Sequence, residues 1–304
     1  MVIRKLVLLI FLFPVFALAE TTSTLTIYAP DYFISEWGPG PKIKEAFERK
    51  CSCNLKYVSG DPLSKLKLEG KSTRADILIG LSSDQILKAR KLNLFDKINF
   101  DFSLPQLPIN WKDPTFLPFD WSYVSFIYDN TKIINPPKTF IELANDPRDY
   151  KIIIQDPRTS PSGLALILWI KSIYGDEAFD IWSKLSSKIL TVTKGWSESY
   201  GMFTSGEAEM VLSFITSQAY HEIAENDKTK TALIMNEGHY VYVELAAKVN
   251  KEKNEDLSNQ FMEFILTNEF QKIIPLSNWS FPVNLPEENW PIGFQNLPKP
   301  EKSI

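Results

Sequence analysis

Three strand-like runs, each followed by a helical stretch, begin this chain and limit its fold more than any other feature. Residues 24–28 alternate and are β-branched, and a helical stretch follows at about 42–50. Residues 55–58 precede a stretch with Leu63, Leu66 and Leu68 near helical spacing, and residues 76–81 precede another at 83–92. Strand-then-helix units in series return each strand parallel to the last and lay helices on the sheet. The expected class is therefore α/β. Ligands of open α/β sheets meet the C-terminal ends of strands, so Asp31 and Trp37, just beyond the first strand, become candidates.

The stretch 151–170 has the same logic. Ile152, Ile153 and Ile154 read as a strand, residues 155–163 as a polar turn, and the run from Leu164 as a buried helix. The first N–H groups of a helix lack intrahelical partners, so small hydroxyl residues before them suit an anion. Ser160, Ser162 and Gly163 stand where it would touch; the plainer alternative is a serine that only caps the helix. Without a glycine-rich fingerprint or a suitably placed lysine, nucleotide hydrolysis is not expected. Two more strands, 189–193 and 209–214, end in the turn holding Trp196 and Ser197 and in the loop Ile215, Thr216, Ser217 and Gln218. A short helix is expected from Tyr200 and another from Tyr220. Ser160, Trp196 and the 214–218 loop should converge.

Residues 121–128 and 240–249 read as strands crossing between two lobes. The helix after 164 is expected to continue amphipathically to Ser186, a single helix to cover 257–274, residues 278–283 to be irregular, and the proline-rich tail to be loosely held.

Arg4 and Lys5, the apolar run 6–18 and Ala17-Leu18-Ala19 make an export signal cleaved before Glu20. Its removal takes two positive charges from a formal charge of −4, which becomes −6. Nucleic acid is a poor partner for such a chain. The remaining length allows two lobes with separate cores, and 8 Trp, 11 Tyr and 20 Phe leave aromatics free to face a ligand. Cys51 and Cys53 can close a small local ring or stay thiols. His221 and His239 lack neighbours at metal-ligand spacing, so no metal site is expected.

The segments Ser35-Glu36-Trp37-Gly38-Pro39-Gly40-Pro41, Cys51-Ser52-Cys53, Leu68-Glu69-Gly70-Lys71, Gln155-Asp156-Pro157-Arg158-Thr159-Ser160, Thr191-Val192-Thr193-Lys194-Gly195-Trp196-Ser197-Glu198, Glu237-Gly238-His239-Tyr240, Ile274-Pro275 and Asn278-Trp279 occur in this order. Together they resemble the periplasmic thiamine-binding proteins of bacterial ABC importers. The resemblance implies a two-lobed periplasmic binding protein fold, with residues 20–118 and 245–275 in one lobe and 119–244 and 276–304 in the other. It implies a ligand held in the cleft without chemistry, no cofactor, a monomer in the periplasm, and a membrane permease with its ATPase as partner. By position it gives Ser160 and the helix start to the phosphate or hydroxyethyl end. Trp196, Tyr220, Trp37 and Trp279 form the aromatic wall, the loop from Phe214 to Gln218 a polar and backbone contact, and Gly60 with Asp61 the facing lobe's share.

Thiamine joins an aminopyrimidine to a thiazolium cation, which stacking, cation–π contact and a carboxylate can hold, each aromatic contact worth about 0.5–2 kcal/mol. Asp31, Asp61, Glu198 and Glu244 are the carboxylates in reach. Pro30, Phe214 and a short loop at Gly60 and Asp61 depart from the family pattern and bear on which thiamine form is preferred. A thiaminase-like enzyme would need a cysteine nucleophile in the cleft, and Cys51 and Cys53 lie just after the first helix. An iron carrier would want paired tyrosines, whereas Tyr240 and Tyr242 belong to a crossing strand. A polyamine carrier is the remaining alternative, since acidic and aromatic residues would serve it too.

Overall fold

The computed structural model describes residues 23–304; the export signal assigned to the first nineteen residues lies outside the described part. Strands β1 (Thr24–Ala29), β2 (Asn54–Ser59) and β3 (Ile77–Ser82) alternate with helices α1 (Asp31–Ile34), α2 (Gly40–Cys51), α3 (Pro62–Glu69) and α4 (Ile86–Arg90). β1 pairs in parallel with β2 and β3. Leu25, Ile27, Ile77 and Ile79 share one face by the two-residue period and bury in one core with Ile43 and Phe47 of α2. Each such side chain contributes roughly 1.5–3 kcal/mol.

The chain then crosses on β4 (Phe116–Asp129) and builds α5 (Phe140–Asn145), β5 (Ile152–Gln155), α6 (Pro161–Tyr174), α7 (Ala178–Leu185), β6 (Ile189–Thr193), α8 (Trp196–Thr204), β7 (Met210–Phe214), α9 (Ser217–Tyr220) and β8 (Lys230–Ala232). It returns on β9 (Val241–Lys248) and finishes with α10 (Glu255–Ile265), α11 (Asn268–Gln271), β10 (Phe281–Pro282) and α12 (Ile292–Gln295). The sheet order is β2-β1-β3-β9-β4-β7-β5-β6, with β8 and β10 added on β4. β9 and β4 are the two expected crossing strands. Residues 116–123 of β4 pair antiparallel with β9, and residues 124–128 pair with β7, so one buried strand serves both lobes. In the second lobe, Ile152 and Ile154 of β5 pack with Leu166, Trp169 and Ile170 of α6. β5 runs parallel to β6 and β7 on either side.

Four expectations change. The helix expected to run on to Ser186 stops at Gly175, whose φ of +54° suits glycine and whose N–H donates to the Lys171 carbonyl. The helix expected over 257–274 is two helices, because Thr267 takes an extended backbone and its hydroxyl caps α11 by accepting from the Phe270 N–H. The helix expected from Tyr200 starts at Trp196, with Gly195 as its extended cap. Trp196 and Ser197 therefore lie in a first helical turn. The tail is held rather than loose: His239 N–H donates to the Lys302 carbonyl at 2.9 Å, Ile304 N–H to the His239 carbonyl at 2.9 Å, and Val241 N–H to the Ile304 carbonyl at 3.0 Å. Val283 and Asn284 bond to Gln271, and Gly293 lies against Ile223. Cys51 and Cys53 are joined in a disulfide at the end of α2.

Candidate functional site

In the second lobe three strand ends lie side by side because β5 sits between β6 and β7. Gln155, the last residue of β5, organises them. Its Nε2 donates to Ser199 Oγ at 2.5 Å and to the Leu212 carbonyl at 3.0 Å, and its Oε1 accepts from Ser162 Oγ at 2.8 Å. Ser162 in turn bonds Ser160 Oγ at 2.9 Å. Both hydroxyls are thus engaged inside the lobe, and Ser160 caps no N–H with its side chain. What α6 offers outward is backbone: Pro161 has no N–H, so the first donors belong to Ser162 and Gly163. Gly163 is there for close approach, since a Cβ would fall 2.3 Å from the Gln155 carbonyl oxygen. In the same loop Arg158 holds the Asp156 carboxyl down at about 2 through a bond of 2.5 Å. Arg158 is thus engaged within its own loop.

Trp196 rests on an internal stack. Its indole lies 4.5 Å from the Tyr200 ring at 20°, Tyr200 is stacked 5.7 Å from His221, and its Nε1 donates to Ser213 Oγ at 2.8 Å. Ser197 is exposed beside it. The polar side chains of the 214–218 loop are bonded within the protein. Thr216 bonds Ser122 at 3.1 Å, Ser217 bonds Ser213 at 2.8 Å, and Gln218 bridges Glu222 and the Ala232 N–H. Ile215 is fully buried. Phe214 packs 5.1 Å from Tyr242 of β9, which joins the loop to the crossing strand.

Tyr220 and Trp279 meet, ring centroids 5.0 Å apart at 87°, and Trp279 also stacks on Phe294 at 6.3 Å. Trp279 has φ +53°, a backbone state unusual for a bulky residue and held here by its neighbours. On the first lobe, Asp31 accepts from Ser59 Oγ, and Gly60 lies in the turn after β2. Asp61 caps α3 by accepting from the Ser64 N–H at 2.8 Å. Trp37 stands 61% exposed, and among the described residues it makes no ring pair. So the structure joins Trp196, Phe214, Tyr220 and Trp279 to the strand ends, while Trp37 is exposed beyond the end of β1.

The histidines do gain neighbours that linear spacing missed. Glu225 and Asp227 bring carboxylate atoms within 4.8 Å of the His221 ring. Both ring nitrogens are already bonded, to Tyr200 OH at 2.9 Å and Glu225 at 2.6 Å, so the group serves the Trp196 stack. His239 is buried between Val124, to whose carbonyl Nδ1 donates, and the Met235 N–H, which Nε2 accepts; burial holds it down to about 4. Sequence reasoning passed over Gln155, Asp120 and Asn278. The signal available for the first two was a polar residue inside an apolar strand, which must find a partner once buried.

The chain matches, over residues 72–297, the family described as bacterial extracellular solute-binding protein. It is 45% identical to a thiamine-binding periplasmic protein from Brucella suis over 309 residues, covering 99% of this chain and 92% of the relative. A protein of the same name from Escherichia coli is 42% identical over 295 residues, 96% of this chain and 88% of the other. A solved structure titled periplasmic thiamin binding protein superposes with a TM-score of 0.87 at 41% identity, covering 94% of this chain and 91% of that one.

Proposed function

The chain belongs to the bacterial extracellular solute-binding proteins, among their thiamine-binding periplasmic members, and from that we propose that it captures thiamine and its phosphate esters between its lobes. It is a binding protein and not an enzyme, with a small molecule as ligand and a membrane permease as partner. We further infer that the permease works with an ATPase, that the carrier acts as a monomer without a cofactor, and that the export signal delivers it to the periplasm. The lobe division we propose is 20–118 with 245–275 and 119–244 with 276–304.

The observation that carries the reading is the meeting of aromatic and anion-facing groups at one set of strand ends. The face of Trp196 backed by Tyr200, and the Tyr220–Trp279 pair, suit a flat pyrimidine and a cationic ring. The N–H groups of Ser162 and Gly163, at the start of a 14-residue helix, suit a phosphate or hydroxyethyl end. The polar side chains of the 214–218 loop being engaged, that loop contributes backbone, and Asp31, Gly60, Asp61 and Trp37 form the facing rim.

The test is calorimetric titration of refolded, ligand-free chain with thiamine, its monophosphate and its diphosphate, with spermidine as control. One site at micromolar affinity or better for a thiamine form is expected. Heat from spermidine alone would replace this reading with a polyamine carrier.

A further inference from the structure

Where β3, β9 and β4 run side by side, Glu244 is paired with Ser82 on one neighbour and Asp120 on the other. Residues paired this way point to the same face of a sheet. Both carboxyls are buried, Asp120 completely and Glu244 to within 5%. Asn278 ties them together, its Nδ2 donating to Asp120 Oδ2 at 2.5 Å and Glu244 Oε2 at 2.7 Å, while Tyr32 OH donates to Glu244 Oε1. Asp120 Oδ1 and Ser82 Oγ, on either side of Glu244, are buried and have no hydrogen-bond partner.

A carboxylate taken out of water costs several kcal/mol unless a cation accompanies it. Elsewhere the chain obeys this: buried Asp76 has Lys251 at 3.4 Å, and Asp129 has Lys230 at 2.9 Å. Among the described residues, Asp120 and Glu244 are the buried carboxyls without a basic partner. The groups around them are Tyr32 from α1, Tyr242 from β9, Ser82 and the more distant Asp84 beyond β3, and Asn278; none is basic. Burial first, and then mutual repulsion at Asp120, push both carboxyls upward. Asn278 directly precedes Trp279, so the amide that bridges the carboxyls also anchors the indole that meets Tyr220.

We propose that the Asp120–Glu244 pair is the counter-charge that selects for a positively charged ring between the lobes. The basic partner that the pair lacks comes with the ligand. This rests on the thiamine reading and singles out Glu244 from the four carboxylates in reach, the other three being exposed and Asp31, Asp61 and Glu198 already accepting from Ser59, Ser64 and Lys194.

The test titrates wild-type protein, Glu244→Gln and Asp120→Asn with thiamine and with 3-deazathiamine, in which a neutral thiophene replaces the thiazolium. Wild type should prefer thiamine by about 30-fold or more. Glu244→Gln should lose most of that preference while binding the neutral analogue as before, and Asp120→Asn should reduce it. An unchanged preference in a folded Glu244→Gln variant overturns the proposal. Wild-type protein that binds both compounds equally overturns it while leaving the thiamine reading intact; binding of neither removes both. Should neither variant fold, proton release decides. Titration of wild type in buffers of differing ionisation heat should show a proton leaving with thiamine and none with the deaza analogue, and equal release with both counts against the pair.

Discussion

At the residue scale, the aromatic candidates divide by what stands behind them. Trp196 is backed by Tyr200 and pinned by Ser213, so its outer face is presented without further ordering. Trp196→Ala should weaken thiamine binding by about 1–3 kcal/mol in calorimetry; unchanged affinity would take it out of the site. Its type and place at a strand end were legible in the sequence, but the direction of the nearby hydroxyls was not. Ser160 and Ser162 could each have faced a ligand, and Gln155 turned both inward. His239 gives a prediction in pH. Its folded value is held down at about 4, whereas an unfolded histidine titrates near 6.5. Between the two the unfolded chain binds the extra proton, so the stability from neutral His239 is whole above about pH 6.5 and is lost as pH falls toward 4, by about 3 kcal/mol in all. Denaturant midpoints measured across that range should slope less in His239→Asn; an identical slope would assign the effect to other groups.

At the scale of elements, α6 bears the second lobe's contacts. Trp169 fills its buried face, 4.7 Å from Phe140 and 4.8 Å from His239, with Nε1 donating to the Gly238 carbonyl at 2.9 Å. The helix reaches β5 closely only because position 163 has no side chain. Gly163→Ala should therefore push α6 off Gln155 and destabilise by about 1–3 kcal/mol in chemical denaturation. A variant as stable as wild type would mean the strand yields instead. The strand, loop and helix of this unit were readable from its hydrophobic period, whereas the break at Gly175 was missed because the apolar period resumes in the next helix. The division at Thr267 was harder, because the residues around it keep an apolar helical period and only the cap shows where one helix ends.

For the whole molecule, β4 and β9 are the connections on which the lobes would turn, lying side by side with the carboxyl pair between them. Hinge closure predicts that the radius of gyration in solution scattering falls on adding saturating thiamine; superimposable profiles would refute it. The order of strands and helices and the two crossing strands were determined by the sequence, because hydrophobic period and turn residues act over a few positions. The pairing of Asp120 with Glu244, the meeting of Tyr220 with Trp279, the inward turn of Thr216 and Ser217, and the docking of the tail on His239 were decided only by the tertiary structure. These depend on register between distant segments and on where a buried polar group finds its partner, and neither is carried by any local pattern.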